Sequence, residues 1–301
     1  MKNLAKPESK IFGLVIPNLR NHYHAELVYH IEETAREHNA MVILRQTKED
    51  PAQEKKSIQA LLQHGVQGMI VLPAQGEYFN AEILKLAAQD FPLVLIDRYL
   101  KGIHTSSITT NHVSAAKMAA DYLFKLGHTH IALLSPPPQH TTTFEERIEG
   151  FVQAHLDRGI LVDKSVWVSD LTADFFAPVQ IEQAENDARK VMELLNRCPS
   201  VTALFAVDYP NAVLAETAVE QLGLQVPEDI SIISFDGPFC DLSGQGRIPF
   251  THMRQNEEKI GRFAVEYILQ WMMTAQQPGP DQIVLDAVLQ VGASTGPARR
   301  N

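Results

Sequence analysis

Aspartates stand at the ends of apolar runs in this 301-residue chain. In VPEDISIISFDGP (226–238), Ile230, Ile232, Ile233 and Phe235 climb into Asp236, and Gly237 and Pro238 follow. PLVLID (92–97) ends in Asp97 with Arg98 beside it, and TALFAV (202–207) runs into Asp208. Aliphatic runs of this length form buried strands, which do not ordinarily finish in a bare carboxylate. Such a group can cap a helix, close a turn, act as a general acid or base, or accept hydrogen bonds from a ligand. The spacing leaves these alternatives open.

Dedicated catalytic signatures are missing. There is no HExxH, no paired C-x-x-C, no phosphate loop and no G-x-G-x-x-G, and no nucleophile elbow of the G-x-S-x-G type is expected. Twelve histidines invite a metal reading, but His22 and His24, like His128 and His130, lie two apart, which suits zinc poorly on a helix. Solvated histidines are the expectation, and neither metal nor cofactor is expected. Cys198 and Cys240 are too few for a disulfide framework. A polar site without nucleophile, metal or cofactor box reads as a binding site.

The totals narrow the partners. Thirty-six acidic against 26 basic residues leave a formal charge of −10, the wrong sign for gripping nucleic-acid phosphates or an anionic membrane. The start, MKNLAKPESK, has no apolar segment of the secretory kind, and no stretch is apolar for long enough to span a bilayer. A cytoplasmic protein is expected.

The elements that must position these carboxylates alternate. Strand-like runs at 11–17, 41–45, 68–73 and 92–97 are separated by helical patterns at 24–38, 51–64 and 79–89. The pattern restarts with a helix at 112–126, then strands at 130–135, 166–169, 202–207 and 230–236 between helices at 144–158, 180–195 and 209–222. Ile260, Phe263, Ala264, Tyr267, Ile268 and Trp271 mark an amphipathic helix, and a last strand covers about 282–291. Alternation of this kind predicts an α/β fold of two doubly wound parallel-sheet subdomains. Parallel sheets bind ligands outside the carboxyl ends of their strands, so a cleft between the subdomains would be lined by the loops that follow strands.

Blocks at those strand ends resemble the effector-binding region of the lactose-repressor family of bacterial transcriptional regulators. The blocks are GLVIPNLRNHYHAELVYHIEE, VLIDR, AADYLFKLGHTHIALLS, ERIEGFVQAHLDRGI, ALFAVDYPNAVLAETAVEQLGLQVPEDISIISFDG and MRQNEEKIGRFAVEYI, from Ile11 to Ser294. LGH followed by IA is a weak match, whereas GLQVPEDIS leading to FD is specific. The resemblance implies a periplasmic-binding-protein-like fold with several crossovers, a homodimer, and a small ligand, most often a sugar or nucleobase, in the cleft.

It also implies roles for individual residues. Arg147, in R-x-x-G-F, takes the place of the family's ligand-binding arginine; the alternative is a surface pair with Glu145, Glu146 or Glu149. Asp236 matches the first aspartate of the family's FDD and would accept from ligand hydroxyls, unless it merely caps the turn; Gly237 stands where the second aspartate belongs. Asp208 matches the aspartate of an N-D pair whose asparagine is here Val207, and it could equally cap the next helix. Asp97 would be a ligand contact or half of a surface pair with Arg98. Tyr23 and His24 fill a loop where relatives carry aromatics, although Tyr23 could face the core. Phe175 and Phe176 supply an aromatic lid, Gln255 a contact near a crossover with Arg254 as substitute, and Thr143 a hydroxyl.

The expected boundaries are a linker remnant at 1–10, a first subdomain of 11–127 plus 248–274, a second of 128–247 plus 275–297, and a tail at 298–301. The family's helix-turn-helix and hinge precede the matched region, and about ten residues stand before Ile11. DNA would therefore be reached only through a module missing from this sequence, which could also be a winged helix like that of arabinose repressors. The expected function is sensing of a small-molecule effector, a mono- or disaccharide, with no enzymatic activity and no membrane partner. A solute-binding protein of a sugar transporter is the alternative, and an enzyme on the same architecture the third reading.

Overall fold

The computed structural model describes residues 10–74, 80–137, 141–172, 181–237, 249–279 and 281–299. Contacts divide the chain into two compact units: 1–110, 140–142 and 256–285 in the first, and 111–139, 143–255 and 286–301 in the second.

The first unit is built on strands β1 (Lys10–Ile16), β2 (Ala40–Gln46), β3 (Gly68–Val71), β4 (Leu93–Ile96), β5 (Ser106–Thr110) and β11 (Gln282–Leu285), in the order β11-β5-β4-β3-β1-β2. All neighbours pair in parallel. Side chains alternate across the sheet, as the two-residue period of a strand requires. Leu14, Ile70, Val94 and Ile96 pack with α1 (His22–Glu37) and α8 (Glu257–Thr274) on one face. Val15, Met69, Val71 and Leu95 pack with α2 (Pro51–Gln63) and α3 (Ala81–Ala88) on the other. Burial on both faces is why these strands read as unbroken apolar runs.

The second unit repeats the plan with β6 (Ile131–Leu134), β7 (Trp167–Val168), β8 (Ala203–Ala206), β9 (Ser231–Phe235), β10 (Thr251–Arg254) and β12 (Val288–Gln290), ordered β12-β10-β9-β8-β6-β7. Only β12 runs antiparallel. Helices α4 (His112–Lys125) and α5 (Thr142–Leu156) cover one face, and α6 (Ile181–Arg197) and α7 (Tyr209–Gln221) the other. Asparagine or aspartate caps α1, α2, α3, α4, α7 and α8, each side chain accepting from a backbone N–H of the first turn.

The unit boundaries differ from those expected. Helix α4 buries Ala115, Ala116, Ala119 and Leu123 against the second sheet, so the first chain crossing falls near Thr110 rather than 127. The return crossing lies after Gln255, because β10 pairs with β9. The single strand expected at 282–291 is two: β11 extends the first sheet beside β5, and β12 joins the second beside β10.

Candidate functional site

In the second unit the carboxyl ends of three adjacent parallel strands are each followed by a polar residue. Asp208 follows β8, Asp236 follows β9, and Gln255 follows β10. The Gln255 amide nitrogen donates to both Asp236 oxygens, at 3.0 and 3.2 Å. Asp236 adopts φ 58°, the left-handed region that costs most side chains energy and that Asp tolerates better than most. Its N–H still donates to Met253 O at 3.0 Å, so the ladder to β10 holds the residue in place.

Arg147 reaches this end from α5 and is 4% exposed, not the surface side chain of the alternative reading. Its Nε donates to His112 Nδ1 at 3.3 Å and its Nη1 to Val207 O at 2.7 Å, and its guanidinium lies 4.1 Å from the Phe235 ring centroid. Gly150 explains the R-x-x-G spacing. A Cβ there would stand 2.1 Å from Val113 O, so only glycine lets α5 lie against the first turn of α4, where His112 begins. Thr143 is buried one helical turn before Arg147, on the same face of α5.

Asp208 caps α7, its Oδ1 accepting from Asn211 N at 3.0 Å and Asn211 Nδ2 at 2.6 Å. Burial pushes its carboxyl up to about 6. The Asn211 hydrogen bonds and the Arg147 charge pull it back, and the neighbouring Asp236 raises it further. Val207, where the family pattern has asparagine, is fully buried in the core and contributes its carbonyl to Arg147. Gly237 also has a steric cause: a Cβ would lie 2.6 Å from Nδ1 of His252, whose ring is held by Phe250 O at 2.8 Å. An aspartate in that place would collide with the ring.

In the first unit, Asp97 follows β4, is buried, and has φ 64°. Arg98 Nε lies 3.7 Å from Asp97 Oδ2, and its Nη1 donates to Pro73 O at 3.1 Å and Ala74 O at 2.9 Å. Glu54 of α2 accepts from Ala74 N at 2.7 Å and Asn80 Nδ2 at 2.8 Å. Burial pushes that carboxyl up, while those hydrogen bonds and the Arg98 charge pull it back. His24 shares Nδ1 with Asn18 O at 3.1 Å; burial, then the Arg98 charge, hold its ring down to about 3, so it is neutral. Tyr23 is 4% exposed and packs in the first core.

Arg147, Asp208, Asp236 and Gln255 thus converge within the second unit, and His24, Asp97 and Arg98 within the first. Phe175 and Phe176 lie outside the described residues. His112, Asn211, Glu54 and His252 were not singled out from sequence; of these, only Asn211 carried a signal, standing three residues after a capping aspartate. GASTG (292–296) has the letters of a nucleophile elbow, but Ser294 accepts from Thr251 N at 2.9 Å and donates to Ile232 O at 2.5 Å, tying the tail to the sheet. Among the described residues no group of three or more His, Cys, Asp and Glu is placed to hold a metal ion, and no helix is long and apolar enough to cross a membrane.

The sequence profile of "Periplasmic binding proteins and sugar binding domain of LacI family" matches residues 9–289. Among curated relatives, the transcriptional repressor CytR of Escherichia coli is 27% identical over 299 residues, covering 98% of this chain and 82% of its own length. The repressor PurR of Aliivibrio fischeri is 27% identical over 265 residues, covering 87% and 74%. The solved lac repressor dimer, bound to operator and the anti-inducer ONPF, superposes with a TM-score of 0.79 at 22% identity over 97% of this chain and 96% of that one. A complex of the regulator CelR with cellobiose gives 0.79 at 22% identity, over 95% and 84%.

Proposed function

Since this chain belongs to the family of periplasmic binding proteins and LacI sugar-binding domains, we propose that it is the effector-sensing part of a cytoplasmic bacterial transcription regulator, not an enzyme, and binds a sugar or similar small molecule at its strand ends. The observation that carries this reading is the convergence of Arg147, Asp208, Asp236 and Gln255 where β8, β9 and β10 end. Carboxylates and an amide there suit vicinal hydroxyls, and the planar guanidinium suits ligand oxygens. The contacts proposed from the first unit are Asp97 and His24. A homodimer is proposed, with DNA reached through an N-terminal module outside the matched residues. The curated relatives are repressors, which favours a regulator over a transport protein.

A ligand that binds one conformation better shifts the population toward it, and roughly 3–5 kcal/mol of differential affinity moves a two-state regulator from one state to the other. A thermal-shift screen of pentoses, hexoses and nucleosides should find a ligand, since one present at a hundred times its Kd adds about 2.7 kcal/mol of stability. Arg147→Ala and Asp236→Asn should each then weaken binding by about tenfold or more. Affinities within twofold of wild type for both variants would remove the site.

A further inference from the structure

The first unit has a second concave surface, at the opposite end of its sheet from Asp97 and independent of the effector reading above. A pocket of about 370 Å³ opens there. It is lined by Lys10 at the start of β1, Gln67 before β3, Asp90 and Pro92 before β4, and Trp271 and Met272 near the end of α8. That volume falls within the range of small-molecule pockets.

The fold sets its apolar wall. Gly68 opens β3, and a Cβ on it would stand 2.7 Å from Ile268 Cγ2 and 3.4 Å from both Met272 Sδ and Pro92 Cβ. Helix α8 therefore lies directly on the strand and brings Met272 and Pro92 to the same place. Trp271 is 6% exposed and meets the Tyr267 ring edge-on, with centroids 6.2 Å apart, so the core holds the indole in position. An indole beside a thioether suits an apolar body, an aromatic ring above all, because sulfur makes favourable contacts with ring edges.

The rim carries both signs of charge, uncombined. Neither the Lys10 ammonium nor the Asp90 carboxylate has an ion pair or side-chain hydrogen bond among the described residues. Strands β1 and β4 flank β3, so two strand spacings, about 10 Å, separate their backbones. Two charge-assisted hydrogen bonds of about 2.8 Å, one on each side of an α-amino acid's carboxylate and ammonium, span a distance of that order. Gln67 accepts from Ile11 N through Oε1 at 3.2 Å, which leaves its amide hydrogens for a ligand carboxylate. The last turn of α8 has no basic residue, so its carbonyl end adds to Asp90 in favouring an ammonium.

We propose that this pocket is a second binding site, for a small zwitterion with an apolar side chain: an α-amino acid of the phenylalanine or tryptophan class. The test uses the full chain with phenylalanine, tryptophan, leucine and methionine. Two half-charged analogues accompany them: phenethylamine, which lacks the carboxylate, and 3-phenylpropanoate, which lacks the ammonium. The expected Kd for phenylalanine is below about 1 mM, with each analogue weaker by about fivefold or more. Labelling with 5-fluorotryptophan gives one fluorine signal for each of the two tryptophans, assigned with Trp167→Phe. Phenylalanine should move the Trp271 signal and leave that of Trp167, in the second unit, in place. Lys10→Met should weaken phenylalanine about fivefold and leave phenethylamine within about twofold. Asp90→Asn, which tolerates the same left-handed backbone (φ 51°), should weaken phenylalanine and spare 3-phenylpropanoate. Binding that moves the Trp167 signal but not that of Trp271 overturns the site. Losses in either variant that are equal for phenylalanine and its spared analogue, or no loss in both variants, overturn the zwitterion assignment. If none of the four amino acids binds below about 1 mM, the inference falls and effector binding at the strand ends is untouched.

Discussion

The two units solve one local problem with differently placed arginines. Each ends a buried parallel strand in an aspartate held at positive φ, Asp97 at 64° and Asp236 at 58°, and each brings a buried arginine to that end. In the first unit the arginine is the next residue and ties together what surrounds it: the Asp97 carboxylate, the carbonyls of Pro73 and Ala74, and the field around Glu54. In the second the arginine comes from a helix, donates to His112 and the Val207 carbonyl, and acts on the Asp208 carboxylate. The first arginine is set among the acids Asp97, Glu49 and Glu54, whereas the second directs its hydrogen bonds, among the described residues, to a carbonyl and a histidine. On the proposed reading the first arginine serves folding and the second a ligand.

That contrast breaks most readily at the arginines. Arg98→Ala strands two carbonyls and a buried aspartate together, and removing one partner of a buried ionic network costs about 3–5 kcal/mol. Arg147→Ala leaves one carbonyl and one imidazole nitrogen short of a donor, about 1–3 kcal/mol. Urea midpoints should therefore fall further for Arg98→Ala than for Arg147→Ala. Equal losses would mean that the second arginine is as structural as the first.

A smaller effect separates the units by pH. His24 titrates at about 3 in the folded chain against an ordinary 6.5, so the unfolded state binds the extra proton. Its contribution is present above about 6.5 and is lost as pH falls toward 3. Asp208 is the reverse: at about 6 against 3.8, the folded state holds the extra proton, and stability grows as pH falls from about 6 to 4. Each full proton difference is worth about 1.4 kcal/mol per pH unit. Between pH 6 and 4.5, His24→Gln should flatten the acid loss of stability and Asp208→Asn should steepen it. Slopes that move in the same direction would erase the distinction.

How much of this the residues announced differs by feature. Apolar runs ending in Asp97 and Asp236 marked both strand ends, because strands buried on both faces need unbroken aliphatic sequence. Strands β5 (SSITT) and β10 (THMR) escaped notice, since their hydroxyls are satisfied by tertiary partners: Ser106 meets Tyr267 at 2.9 Å, and Thr251 meets Thr295 at 2.6 Å. The site's acids were legible as types, but their partners were not. His112 lies 35 residues before Arg147, and no local spacing encodes that contact. Gly237 looked like a loss from a family pattern, and its cause, the His252 ring, belongs to the neighbouring strand.

The finest discrimination comes from the backbone of the two aspartates. A non-glycine residue in the left-handed region costs roughly 1 kcal/mol, and glycine removes that cost while giving up side-chain contacts and adding freedom to the unfolded chain. At Asp97 the substitution also takes a carboxylate away from Arg98, so Asp97→Gly should lose stability. At Asp236 the side chain gives up the Gln255 hydrogen bonds, but its negative charge also leaves the neighbourhood of Asp208. Asp236→Gly should therefore hold or gain up to about 1 kcal/mol in the ligand-free protein while losing effector affinity. The Asp208 carboxyl, freed of that neighbour, should titrate lower, and carboxylate NMR would detect the shift. A loss of stability at Asp236 as large as that at Asp97 would make both aspartates structural and leave the second unit no more a binding surface than the first.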